Sequence, residues 1–195
     1  MSFIKSKQLK LWDGGLGGNS LKSSKKSHGG VTNLGKRKTA RPFVRKKPIH
    51  LVVRSSKARG ELSFLRPENA KMIQQVLDAQ SYRHYVKILS WVNVGNHLHI
   101  KLKAYTHTGF KAFMRSFTAL IARKITGAKK GKTFGRFWDA LAFTRVLMSS
   151  FEELGLSHYF KKNNVEASYG KEIRQIFFGK DIGKMLLAKR VLAIR

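Results

Sequence analysis

Between residues 48 and 167 the apolar residues switch period repeatedly, from two to 3.6 and back, and this switching restricts the fold more than any other feature of the chain. Residues 49–55 (Ile-His-Leu-Val-Val-Arg-Ser) alternate and predict a first strand. Gly60 marks a turn, Pro67 suits the first turn of a helix, and Met72, Ile73, Val76 and Leu77 then recur at helical spacing. Residues 84–94, rich in Tyr, Val, Ile and Trp, predict a second strand. Gly95-Asn96 supplies a turn, and residues 97–104 form a third strand, so the pair makes a hairpin. Thr106 or Thr108 can cap the next helix, whose apolar stripe is Phe110, Phe113, Met114, Phe117, Leu120, Ile121 and Ile125, with Gly127 as its stop. A fourth strand is expected over 137–147. Ser150 with Glu153 has capping-box spacing and opens a further helix carrying Phe151, Leu154 and Tyr159. This order predicts an α+β fold, a ferredoxin-like antiparallel sheet packed by helices, with an additional C-terminal helix that carries the tyrosine. No internal repeat is visible.

The flanks read differently. Residues 1–47 hold 13 Lys or Arg, one acid (Asp13) and three glycine pairs, without the periodic apolar residues that would offset ordering entropy. They predict a flexible basic arm, densest at Lys36-Arg37-Lys38 and Arg45-Lys46-Lys47. Residues 48–167 form the folded domain. The tail, 168–195, shows helical periodicity in Ile173, Ile176, Phe177, Ile182, Met185 and Leu186, as one or two short helices.

Charge narrows the partner. Forty Lys and Arg against ten Asp and Glu leave +30, an excess that repels itself unless a polyanion neutralises part of it. Nucleic acid is the usual polyanion, because its phosphates reward Lys and Arg by releasing counterions. The rival is a basic face for anionic membrane or ribosomal RNA. Within the domain, Lys101, Lys103, Arg115, Lys129, Lys130, Lys132 and Arg136 are the expected phosphate contacts, joined by Arg45, Lys46 and Lys47 of the arm. The absence of cysteine excludes a disulfide framework, a thiolate zinc site and a cysteine nucleophile, and it suits a reducing cytoplasm. A DNA-binding chain there would associate with the nucleoid. No signal segment and no membrane-spanning run is expected.

Chemistry concentrates in two places. In Asn96-His97-Leu98-His99-Ile100-Lys101-Leu102-Lys103, alternation sends Leu98, Ile100 and Leu102 to a core face and His97, His99, Lys101 and Lys103 to the other. Imidazoles at i and i+2 stand roughly 6–7 Å apart on one strand face, close enough to share a divalent metal. Taken alone, this spacing favours two solvated or hydrogen-bonded histidines. On the later helix Tyr159 and Asn163 are four apart and so one above the other. A tyrosine beside a metal-bound phosphate can attack phosphorus to give a phosphotyrosine and a free 3′-hydroxyl, and an amide oxygen can add a ligand. Alone, this pair favours a half-buried tyrosine next to a C-cap asparagine.

A family resemblance turns both balances. Residues 91–100, with Asn96-His97-Leu98-His99, resemble the Met-Pro-Asn-His-x-His-Leu-Leu signature of single-tyrosine HUH transposases. The helix over 110–126 is similar to that family's next helix, and Gly135-Arg136-Phe137-Trp138 falls where its Gly-x-x-Trp segment lies. His158-Tyr159-Phe160-Lys161-Lys162-Asn163-Asn164-Val165-Glu166-Ala167 resembles the Arg-Tyr-Ile-x-x-Asn-Pro-Val-Arg-Ala block of the REP-associated tyrosine transposases. Val94-Gly95 stands for Met-Pro, Asn164 for the proline and Glu166 for an arginine, and none of these removes a catalytic group. The resemblance, over about residues 49–167, implies Tyr159 as nucleophile and His97, His99 and Asn163 as ligands of Mg²⁺ or Mn²⁺. It also implies hairpin-bearing single-stranded DNA as substrate, with no small-molecule cofactor and no membrane partner. The chain would act as a monomer or homodimer.

Other residues have competing readings. Tyr169, expected beyond the helix end, is the rival nucleophile, and Tyr105 lies past the histidine strand. His50 could face the metal or simply pack, with packing favoured; His107 reads as a cap or surface residue; Asp139, Glu152 and Glu153 could bind metal but read more readily as dipole partners. Phe110, Phe113, Phe117, Tyr82, Tyr85 and Trp91 read as core more readily than as base-stacking groups, whereas Trp138 beside the basic loop is the better stacking residue. Two functional classes follow: a covalent DNA nickase and strand transferase, or a non-catalytic nucleic-acid-binding protein that kept the fold. A zinc hydrolase is disfavoured because no acid lies near the histidines in sequence.

Overall fold

The computed structural model describes residues 26–35 and 39–178. The charge run at 36–38, residues 1–25 of the expected arm and residues 179–195 of the tail lie outside it. In chain order the elements are β1 (Ser27–His28), β2 (Ile49–Arg54), α1 (Pro67–Arg83), β3 (Val86–Asn93), β4 (His97–Ala104), α2 (His107–Thr126), β5 (Phe143–Val146) and α3 (Ser150–Phe178). The five strands form one antiparallel sheet in the order β1-β5-β2-β4-β3. Without the short edge strand β1 this is the strand order of the split βαβ expected from the sequence.

Alternation along β2 and β4 sorts the side chains as period two requires. Ile49, Leu51, Val53, Leu98, Ile100 and Leu102 are buried on one face, where α1 and α2 cover them. The stripe Phe110, Phe113, Phe117, Ile121 and Ile125 of α2 fills that layer, so these phenylalanines are core and unavailable to bases. The Thr106 hydroxyl caps α2 by accepting from the Gly109 amide at 3.0 Å, and Gly127 closes it in the left-handed region at φ 66°. Helix α3 lies on the opposite face. There Leu156 and Phe160 join Val92 of β3 and Leu147 in a second, smaller apolar cluster.

Several local expectations change. The fourth strand is only Phe143–Val146, because residues 137–142 spend their backbone and side chains elsewhere: Ser55 donates to the Phe137 carbonyl, and the Asp139 amide donates to Arg54 of β2. Trp138 is not a stacking platform. It packs against Phe64 and Phe137, and its indole N–H donates to the Thr118 carbonyl at 3.1 Å. The cap of α3 sits one residue earlier than expected. Ser149 Oγ accepts from the Glu152 amide, and the Glu152 carboxylate accepts from the Met148 amide. The helix does not stop near Asn163 but continues to Phe178, so Tyr169 lies within it, exposed. Of the stretch expected as an arm, Ser27 and His28 pair with β5, Arg41 donates to Ala142 and Thr144, and the Phe43 ring stacks on His107. No described helix is long and apolar enough to cross a membrane.

Candidate active site

The site forms where α3 crosses the face of the sheet that the apolar core leaves to polar side chains. Strand β4 sends His97 and His99 to this face with ring centroids 4.8 Å apart, and β2 beside it contributes His50. His50 stacks on His99, its Nε2 3.1 Å from His99 Nδ1, and one proton is shared between them. From above, α3 sets Tyr159 edge-on against His99, with the phenol oxygen 3.5 Å from His99 Nε2, at the outer limit of a hydrogen bond. Phe160 lies against both His50 and His99 and seals the cluster. His97 Nδ1 is 2.6 Å from the Asn96 side-chain oxygen.

Burial sets the charge state. Desolvation, and then the Arg145 guanidinium, hold His50 down at about 3. Desolvation and then Arg54 hold His97 at about 4. His99, 5 % exposed, is pushed well below its ordinary value by burial first and then by the two other histidines. All three rings are therefore neutral at pH 7, and a neutral imidazole is the form that can ligate a cation. With the shared proton on His99 Nδ1, that ring's Nε2 lone pair faces the phenol. With the proton on His50 Nε2, it does not.

One turn beyond Tyr159, Asn163 is 1 % exposed, and its amide nitrogen has no hydrogen-bond partner. A buried polar group left unpaired costs stability, and this one is a donor, so what it lacks is an acceptor. Two neutral imidazoles suit a divalent cation, and a carboxamide such as that of Asn163 would join them only through its oxygen; among the described residues no three His, Asp or Glu side chains stand together as a ready metal cluster. His99 Nε2 can serve the phenol or a cation, not both at once, so cation binding requires the phenol to leave that nitrogen.

The basic residues divide. Lys101 reaches across to α3 and donates to Ser157 Oγ at 3.1 Å, and Lys103 lies further along the same face of β4. Lys129, Lys130, Lys132 and Arg136 are exposed in the loop after α2. That loop lies at the His97 end of the sheet, because Lys57, just past β2, donates to the Arg136 carbonyl and Arg54 pairs with Asp139. Arg115 is exposed on α2, with the sheet between it and the histidines. Arg45, Lys46 and Lys47 precede β2 at the other end, where Lys47 donates to the Met148 carbonyl. Tyr105 and His107 stay away from the cluster, and Tyr82 in the last turn of α1 and Tyr85 just beyond it are exposed and so not core. His50, for which the sequence left facing a metal or packing open and favoured packing, packs against His99, Phe143 and Phe160.

No family model matches the sequence, and no curated protein matches it. Among solved structures the chain is similar to a REP-associated tyrosine transposase bound to a REP hairpin, at 13 % identity and a TM-score of 0.55, over 77 % of this chain and 87 % of that one. A candidate transposase from Deinococcus radiodurans R1 aligns at 17 % identity and a TM-score of 0.41, over 66 % of this chain and 98 % of that one. At such identity the first likeness shows a shared fold: the antiparallel sheet that carries the histidines and the helices packed on it.

Proposed function

We propose that this chain is a metal-dependent single-strand DNA nickase and strand transferase of the HUH type, acting on hairpin-bearing DNA through Tyr159. The observation that carries the reading is the approach of the Tyr159 phenol to 3.5 Å from His99 Nε2, across 60 residues of sequence and from a different layer of the fold. The Tyr159 ring packs on the small apolar cluster under α3, but that packing does not require its hydroxyl to face a neutral histidine. A phosphotyrosine mechanism gives a reason for it.

In this reading His97, His99 and Asn163 hold Mg²⁺ or Mn²⁺. A cation there polarises a phosphoryl oxygen and offsets charge that builds during attack. The chain's own residues do the rest. Tyr159 gives up its phenolic proton as its oxygen bonds to phosphorus, and the bond from phosphorus to the 3′-oxygen breaks. The DNA 5′-phosphate stays on the enzyme and the other fragment leaves with a 3′-hydroxyl. Attack of a second 3′-hydroxyl on the phosphotyrosine reverses the step and joins strands. Phe160 keeps water from the inner side of the histidines, and Lys101 adds positive charge to the same face. The hairpin bound in the similar structure supports the choice of substrate.

The test is a labelled single-stranded hairpin incubated with protein and Mn²⁺ or Mg²⁺. A 5′-linked covalent adduct is expected with wild type and absent with Tyr159→Phe. An adduct that persists in Tyr159→Phe reassigns the nucleophile, with Tyr169 the first rival. Binding without any adduct across candidate hairpins favours the non-catalytic reading.

A further inference from the structure

A second concave site lies at the C-terminal end of α2, outside the histidine cluster. It is a cleft of about 780 Å³ between the last turns of that helix and the loop that follows. Ala122, Ala128, Phe134 and Phe137 give it apolar lining, with the Phe134 and Phe137 rings edge-on at 6.2 Å. Its rim is cationic, with Arg123, Lys124, Lys129 and Lys130, and no acid lines it. Phe134 is 38 % exposed while its neighbour Phe137 is buried, so part of an aromatic ring is left to solvent among the four cations of the lining. The ring is also held by Lys57, whose ammonium lies over it at 5.2 Å from the centroid and donates to the Arg136 carbonyl.

A partly exposed ring in a cationic surround matches an unpaired nucleotide, whose base stacks while its phosphates meet the rim. A rigid double helix fits poorly, because its bases are already stacked. Position adds to this. Helix α2 returns antiparallel to β4, so its C-terminus lies at the end of the sheet where β4 begins with His97. Arg54 stands opposite His97 in the β2–β4 register and pairs with Asp139 of the loop, and Lys57, three residues on, reaches Phe134, so the cleft's loop is tied to the His97 end of the sheet.

We infer that this cleft binds an unpaired nucleotide flanking the phosphate that is cleaved, with Phe134 as the stacking platform and Arg123, Lys124, Lys129 and Lys130 as phosphate contacts. The inference takes its substrate from the DNA-processing reading, but it concerns binding and not cleavage. It is therefore tested in the Tyr159→Phe protein, where no covalent step intervenes.

Two hairpins of identical stem are compared by fluorescence anisotropy, one blunt and one with a single-stranded extension. Phe134→Ala is expected to weaken the extended hairpin roughly 5- to 100-fold and the blunt one little, with Phe134→Trp restoring affinity. Phe134→Leu keeps the apolar volume if Ala does not fold, and it is expected to show the same selective loss. Independently, a photoreactive thymine analogue placed at successive positions of the extension should crosslink to the peptide containing Phe134 at one or two positions only. Crosslinks confined to other peptides overturn the inference. So does equal loss on the blunt hairpin, or on heparin, which would make the cleft a general anion face. Failure of wild type to form an adduct leaves this result untouched and counts against the nickase reading alone.

Discussion

His99 has different neighbours on its two nitrogens, and this division is where single substitutions are most informative. Its Nδ1 meets His50 and its Nε2 meets Tyr159. His97→Ala with His99→Ala is expected to abolish cleavage while leaving salt-sensitive DNA binding largely intact, measured by adduct formation and by anisotropy on the same hairpin. Equal loss of both would assign the rings to DNA contact. The histidines also make stability depend on pH in a definite direction. In the unfolded chain they titrate near 6.5, whereas in the fold His50 titrates at about 3 and His97 at about 4, with His99 also lowered. Between pH 6.5 and about 4 the unfolded chain binds protons that the folded chain refuses. Their contribution is therefore fully present above pH 6.5 and is lost as pH falls through that window. Thermal melts without divalent cation should drop progressively from pH 7 to 4.5, and His50→Asn should flatten the dependence. A melting temperature that rises on acidification would show that the rings are not buried neutral.

Helix α3 is the element on which the site depends, and it is held differently from α2. The α2 stripe sits in the large core, with Phe110, Phe113 and Phe117 fully buried. The α3 contacts rest on Leu156 and Phe160 against Val92 and Leu147, a far smaller apolar cluster. Removing a buried phenylalanine costs about 3–5 kcal/mol in a well-packed core. Spent in the α3 layer, that loss should free the helix before it unfolds the sheet. Phe160→Ala is thus expected to speed amide hydrogen exchange across residues 150–167 while β2 and β4 stay protected, and to cut adduct formation at least about tenfold by misplacing Tyr159. Phe117→Ala should instead lower protection throughout. Uniform loss of protection in Phe160→Ala would mean that the two layers unfold as one unit. The Ser149–Glu152 cap has a related consequence, because Arg145 of β5 pairs with Glu152 at 3.0 Å and so ties the start of α3 to the sheet.

Across the whole molecule, the +30 charge should govern affinity more than any single contact. The exposed cations lie on more than one side: Arg115 behind the sheet, Arg45 and Lys46 at one end, and the loop of Lys129, Lys130 and Lys132 at the other. Binding should therefore be strongly salt-dependent. If 6–10 phosphates are neutralised, affinity for a hairpin falls about 10³- to 10⁵-fold between 50 and 200 mM salt, read as the slope of log affinity against log salt. A shallow slope, near that of one or two ion pairs, would mean that most of this charge serves some other partner.

How much of this was legible before folding can be traced residue by residue. The alternation of Leu98, Ile100 and Leu102 with His97, His99 and Lys101 follows from strand stereochemistry alone, so one sequence segment already places two imidazoles on a common polar face. The α2 stripe and its Gly127 stop are equally local. The short β5 and the inward turn of Trp138 were not readable, because they depend on Arg54 and Thr118 taking up backbone and indole hydrogen bonds from far along the chain. The place of His50 depended on which strand neighbours β4, and β2 takes that position only in the assembled sheet. A family resemblance pointed to Tyr159, but its meeting with His99 is set by how a small apolar cluster seats α3 across the sheet. Period and capping are short-range properties of a chain. Which faces meet is a matter of long-range packing, and for this protein that packing brings its tyrosine to its histidines.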